Sequence, residues 1–119
     1  MAGGKVVVTF TSHLMPMFRG ILSTIYATPT KKPATRTILQ VFEETYAKEP
    51  FVKVLPEGKF PGTKEVTGTN NVLISAHYED RTDRIIVITA IDNLLKGASG
   101  QAVQNMNLME GFEETMGLA

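Results

Sequence analysis

Hydrophobic spacing divides the chain into runs of different period. From Lys5 to Thr11 the residues Val6-Val7-Val8-Thr9-Phe10 are β-branched or aromatic, a composition that suits a pleated, half-buried surface, and they predict a strand. Ser12 and His13 follow directly, where a sheet would fix their origin. Pro16 has no N–H and biases Met15 away from the helical region, so Leu14 to Met17 is expected to be extended or turning. Gly20 to Ala27 returns to a β-rich run. Ile38, Leu39, Phe42 and Tyr46 then recur at three- and four-residue spacing, one apolar stripe on a helix with Pro33 in its first turn and Pro50 at its end. Phe51-Val52-Lys53-Val54 reads as a short strand, and Pro56 to Gly62 is dense enough in proline and glycine to be an ordered loop.

A period of two governs Asn71 to Tyr78, with Val72, Ile74, Ala76 and Tyr78 on one side and Leu73, Ser75 and His77 on the other. Arg84 to Ile91 is a nearly continuous apolar run, as expected of a central strand covered on both faces. The polar link Glu79 to Asp83 suits an antiparallel hairpin. From Gly97 to Phe112 the period changes again: Ala98, Ala102, Met106, Met109 and Phe112 form a helical stripe, while Gln101, Gln104, Asn105 and Asn107 fall elsewhere on an amide-rich face. No internal repeat is visible, and residues 1–119 are expected to form one domain.

Composition narrows the classes of function. The chain has 119 residues, a length that suits a single core. Its twelve basic and twelve acidic residues form no single-sign block, which argues against nucleic acid as a partner because such binding rests on a concentrated basic face. With zero cysteines there is no disulfide, thiolate metal site or thiol nucleophile. No apolar run approaches the length of about 20 residues needed to span a bilayer, and the N-terminus lacks a charged region followed by a hydrophobic one. A cytoplasmic protein without a membrane partner is the expectation.

The candidate chemistry centres on His13-Leu14-Met15-Pro16-Met17-Phe18-Arg19, which sets an imidazole and a guanidinium six residues apart around a proline. An imidazole, with an ordinary pKa of about 6.5, reaches either protonation state near neutral pH and so suits acid/base work. On the residues alone, a hydrogen-bonded surface or core histidine is the plainer reading of His13. Arg19 offers a planar fork for a carboxylate or phosphate, against the plainer reading of a solvated or structurally paired arginine. His77 has no second metal-ligand residue at suitable spacing and is read as structural; no metal site is expected. Asp92-Asn93-Leu94-Leu95-Lys96-Gly97-Ala98-Ser99-Gly100-Gln101 joins a strand to a helix. Exposed N–H groups there favour anions or amides, although a structural turn capped by Ser99 or Asp92 is the simpler account.

Three separated motifs, in one order, resemble the C-terminal part of the N-acetyl-gamma-glutamyl-phosphate reductase family. They are Phe10 to Ile21, Phe51 to Gly58 and Ile91 to Asn105, and the resemblance extends over almost the whole chain. One departure is Ser12, where the family commonly has proline before the histidine. The resemblance implies an α+β fold, a mixed and mostly antiparallel sheet with helices on one face, like the C-terminal domain of glyceraldehyde-3-phosphate dehydrogenase-like enzymes. It implies NADPH-dependent reduction of N-acetyl-glutamyl 5-phosphate to the 5-semialdehyde and phosphate, in arginine biosynthesis, through a cysteine thioester. His13 then stands as the acid/base, Arg19 as a substrate contact, and Asn93, Lys96, Gly97 and Gln101 as the cofactor turn. The cysteine and the nucleotide-binding domain that holds most of the NADP lie in the family's N-terminal part, so this chain alone is expected to be inactive. A terminal helix over about residues 95–119 is expected to pack on that domain, and the sheet to make homo-oligomer contacts. The alternative is a stand-alone binding or oligomerisation module without catalysis.

Overall fold

The computed structural model describes residues 6–118. Four strands, β1 (Ile21–Ala27), β2 (Val52–Val54), β3 (Val72–Glu79) and β4 (Arg84–Ile91), form one sheet in the order β1-β4-β3-β2. Strands β3 and β4 are the expected hairpin, antiparallel from Val72 opposite Ile91 to Glu79 opposite Arg84. Its turn closes through Asp83 at a φ of 53°. Strand β1 adds antiparallel to β4, whereas β2 runs parallel to β3, so the sheet is mixed and mostly antiparallel. With helices α1 (Thr35–Thr45) and α2 (Gly100–Glu110), the fold is α+β as the resemblance implied.

Helix α1 lies against one face of the sheet. Its stripe residues Ile38 and Leu39 are buried against Ala76, and Phe42, Val54, Tyr78, Ile85 and Val87 pack around them. Pro33 lies just before the N-cap Ala34 rather than in the first turn, and Thr35 ties the helix start to the sheet by accepting from the Tyr78 N–H at 3.1 Å. On the opposite face Leu73 and Ala90 meet Val66, which follows the 3₁₀ turn Thr63–Glu65, and Leu55. The side chains of β3 therefore alternate between two small cores, as their period of two predicts.

The expected strand over residues 5–11 is not formed. Lys5 lies outside the described residues, and Val6 to Thr11 are exposed with no regular structure. β-Branched residues fit a pleated surface but do not supply a hydrogen-bonding partner; among the described residues β1, the outermost strand, pairs only with β4. A second correction concerns β4. It is central in the hydrogen-bond ladder, yet only Ala90 is buried along it, because α1 and the loop before β3 cover part of the sheet and leave β1 exposed along most of its length.

The third correction is at the C-terminal helix. A π-helical turn, Leu95–Ser99, precedes α2, and the helix stops at Glu110 where Gly111 takes a φ of 73°. The remaining residues turn back, with the Phe112 N–H donating to the Asn107 carbonyl at 2.8 Å. The apolar stripe of Ala98, Ala102, Met106, Met109 and Phe112 is exposed, while Gly100, Gln104 and Asn107 face the body of the molecule. No helix among the described residues is long and apolar enough to cross a membrane.

Candidate functional site

The end of β4 delivers the chain to Asp92, whose side chain is fully buried. One carboxylate oxygen accepts from the N–H groups of Leu94 at 2.8 Å and Leu95 at 3.0 Å, which starts the π-helical turn. The other accepts from the Gly68 N–H at 2.8 Å and from the Arg19 guanidinium. Burial pushes this carboxyl upward, but hydrogen bonds from the Gly68 N–H, the Arg19 guanidinium and the Leu94 and Leu95 N–H groups outweigh it and hold the pKa down at about 2. Asp92 is thus the cap anticipated for the turn. Ser99 is not, since its hydroxyl donates to the Leu94 carbonyl at 2.7 Å.

Asn93 continues the junction. Its Oδ1 accepts from the Gly20 N–H at 2.8 Å, so consecutive residues of the turn hold consecutive residues before β1. Gly20 itself is at a φ of 107°, and a side chain there would run into Thr63. These contacts gather the start of β1, the end of β4, the Gly68 loop and the π-helical turn at one end of the sheet.

The sequence candidates separate at this point. His13 and Asn93 line one open groove together with Gly20, Ile21 and Thr63. His13 is exposed and sits on a segment without regular structure. Arg19 is turned toward Asp92, is 35% exposed along its side chain, and has a buried Nε with no acceptor. Lys96 points into the body: it donates to Gln104 Oε1 at 2.6 Å and lies 5.6 Å from the centre of the Phe51 ring. Burial lowers its pKa, opposed by the charges of Glu114 and Glu49. Gln101 donates to Asn105 along its own helix at 2.8 Å. Gly97 closes against the strand, where a Cβ would stand 3.2 Å from the Asp92 carbonyl.

Residues that the hydrophobic pattern undervalued complete the junction. Asn70 donates to Gln104 Oε1 at 3.0 Å, Gln104 donates to Glu114 at 2.5 Å, and Asn107 Nδ2 donates to the carbonyls of Glu114 at 3.1 Å and Met116 at 2.9 Å. The signal was the helical spacing of Gly100, Gln104 and Asn107. His77 has its ring edge-on to Phe60 at 5.6 Å. No group of three or more His, Cys, Asp or Glu side chains suited to a metal ion occurs among the described residues.

Chemically, the groove offers an imidazole and an amide, and the wall behind it is fixed by a buried carboxylate. N-acetyl-gamma-glutamyl-phosphate reductases of Pelobacter propionicus, Geobacter metallireducens and Moorella thermoacetica are 56%, 55% and 55% identical to the chain over 100%, 99% and 99% of its length. The chain spans only 34% of each of these relatives. A crystal structure of aspartate semialdehyde dehydrogenase II from Vibrio cholerae superposes with a TM-score of 0.64 at 18% identity, covering 81% of this chain and 28% of that one, and so shares the fold. The family model described as semialdehyde dehydrogenase, dimerisation domain, matches residues 1–93. The chain belongs to the semialdehyde dehydrogenase dimerisation-domain family.

Proposed function

We propose that this chain is the C-terminal substrate and dimerisation domain of an N-acetyl-gamma-glutamyl-phosphate reductase, an NADP-dependent enzyme of arginine biosynthesis in the cytoplasm. The observation that carries the proposal is the shared groove of His13 and Asn93, in a chain as much as 56% identical to reductases so named. The reaction reduces N-acetyl-glutamyl 5-phosphate to N-acetyl-glutamate 5-semialdehyde and phosphate. The nucleophilic cysteine and most of the nucleotide site stand on other polypeptide. There the thiolate attacks the acyl carbon, the phosphate leaves, and the resulting thioester is reduced.

His13 takes the thiol proton and returns one to the oxygen that gains charge at the acyl carbon; its exposure in the groove leaves the imidazole open to both. Arg19 meets a carboxylate or phosphoryl oxygen with N–H donors not used by Asp92, and the partial exposure of its side chain supports that role. Asn93 keeps its amide N–H₂ for an acceptor after its Oδ1 has taken the Gly20 N–H, which fits the carboxamide end of a nicotinamide. Gly97 and Gln101 line the same turn, and Lys96 braces it from behind through Gln104. NADPH, when bound, supplies the hydride. The half-exposed sheet supports homo-oligomer contacts.

Replacing the matched third of the Pelobacter propionicus relative with this chain tests the reading. The chimera should reduce the acyl phosphate with NADPH, and the isolated chain should not. An inactive chimera beside an active parent would remove the reading, and turnover by the isolated chain would remove the claim that the nucleophile lies elsewhere.

A further inference from the structure

We propose that Asp92 is a positioning residue, one that sets the His13 segment and the Asn93 to Gln101 turn in a single fixed relation; the proposal rests on the reductase reading above. Residues 6–19 pair with no strand, so the place of His13 depends on where that segment is tied down. Two of its ties are consecutive: the Arg19 guanidinium to Asp92, and the Gly20 N–H to Asn93. Asp92 also starts the turn, through the N–H groups of Leu94 and Leu95, and anchors the loop at Gly68. Four donors from three separate parts of the chain therefore end on one carboxylate that solvent does not reach.

A carboxylate is the side chain that can do this, because both of its oxygens are acceptors. An asparagine in its place could satisfy the turn with its single oxygen, but its N–H₂ would then face the Gly68 N–H and the Arg19 guanidinium, both donors. With no solvent access to supply an acceptor, Arg19 would be released and would carry the end of the His13 segment with it. Being sealed, Asp92 touches no substrate; it acts through Arg19, Gly20 and the turn.

The test uses the chimeric reductase with Asp92→Asn, Arg19→Gln and both changes together, each rate being expressed per titratable active-site thiol so that unfolded enzyme is not counted. Asp92→Asn is expected to lower kcat about 10- to 100-fold, as displacement of a catalytic group by about an ångström does. The double variant should lose less than the product of the two single losses, since the changes share the Arg19–Asp92 contact. A rate per thiol within about twofold of the unaltered chimera, or losses that simply multiply, would overturn the proposal. If the Asp92→Asn chimera does not fold, amide exchange in the isolated chain decides the question with Arg19→Gln. The Gly20 amide, whose acceptor is Asn93, should lose at least tenfold in protection, and unchanged protection would overturn the proposal. An unaltered chimera without activity would instead count against the reductase reading, leaving the Gly20 exchange measurement to decide the role of Asp92.

Discussion

Asp92 contributes most to the junction at the end of the sheet, and it does so as a charged acceptor. Its pKa of about 2 is below the ordinary carboxylate value of 3.8, so folding favours the ionised form. A depressed carboxyl adds stability that is fully present above its ordinary pKa and is lost as the pH falls through the folded value. Urea unfolding of the chain and its Asp92→Asn variant should accordingly differ by a constant amount from pH 7 to about pH 5, and the difference should shrink between about pH 4 and pH 2. A gap independent of pH over that lower range would mean that folding does not lower the pKa of Asp92. At this scale the sequence was partly readable. His13, Arg19 and Asn93 could be picked out by residue type and position. The ion pair of Arg19 with Asp92 joins positions 73 apart and has no local signature.

Among the elements, strands β3 and β4 were readable because their side chains alternate or run apolar without interruption, and their link has hairpin length. Helix α1 was readable because its apolar stripe is the face it buries. Helix α2 broke that rule. Hydrophobic periodicity locates a helical face but not what covers it, and here amides hold the helix to the body while Met109 remains 82% exposed. The junction between the π-helical turn and α2 depends on Gly100, where a Cβ would stand 2.9 Å from the Leu95 carbonyl oxygen and closer still to Asn70 Oδ1. Gly100→Ala is expected to cost about 1–3 kcal/mol in urea unfolding through this crowding, whereas Ala102→Ser on the exposed side of the same helix should stay within about 0.5 kcal/mol. Equal effects at the two sites would show that the helix does not seat against Asn70. The strand expected before Ser12 failed for a different reason: propensity describes the fit to a sheet, and the outer edge of β1 pairs with no strand among the described residues.

For the whole molecule, the unfilled surfaces are as informative as the cores. The sheet carries two small cores around α1 and around Val66, and beyond them β1 and the stripe of α2 leave Leu22, Ile25, Tyr26, Met106 and Phe112 exposed. A dimerisation domain whose relatives are about three times its length is expected to cover such surfaces with other polypeptide. The groove of His13 and Asn93 runs along the length of β1, from Gly20 beside the Asp92 junction to Thr28. The claim that this domain supplies the acid/base residue is tested most directly by the turnover of the chimeric reductase carrying His13→Asn, measured per titratable thiol. Turnover should fall by about two to four powers of ten while the thiol count and the unfolding midpoint stay unchanged. A rate close to that of the unaltered chimera would contradict the account and leave His13 as a surface residue.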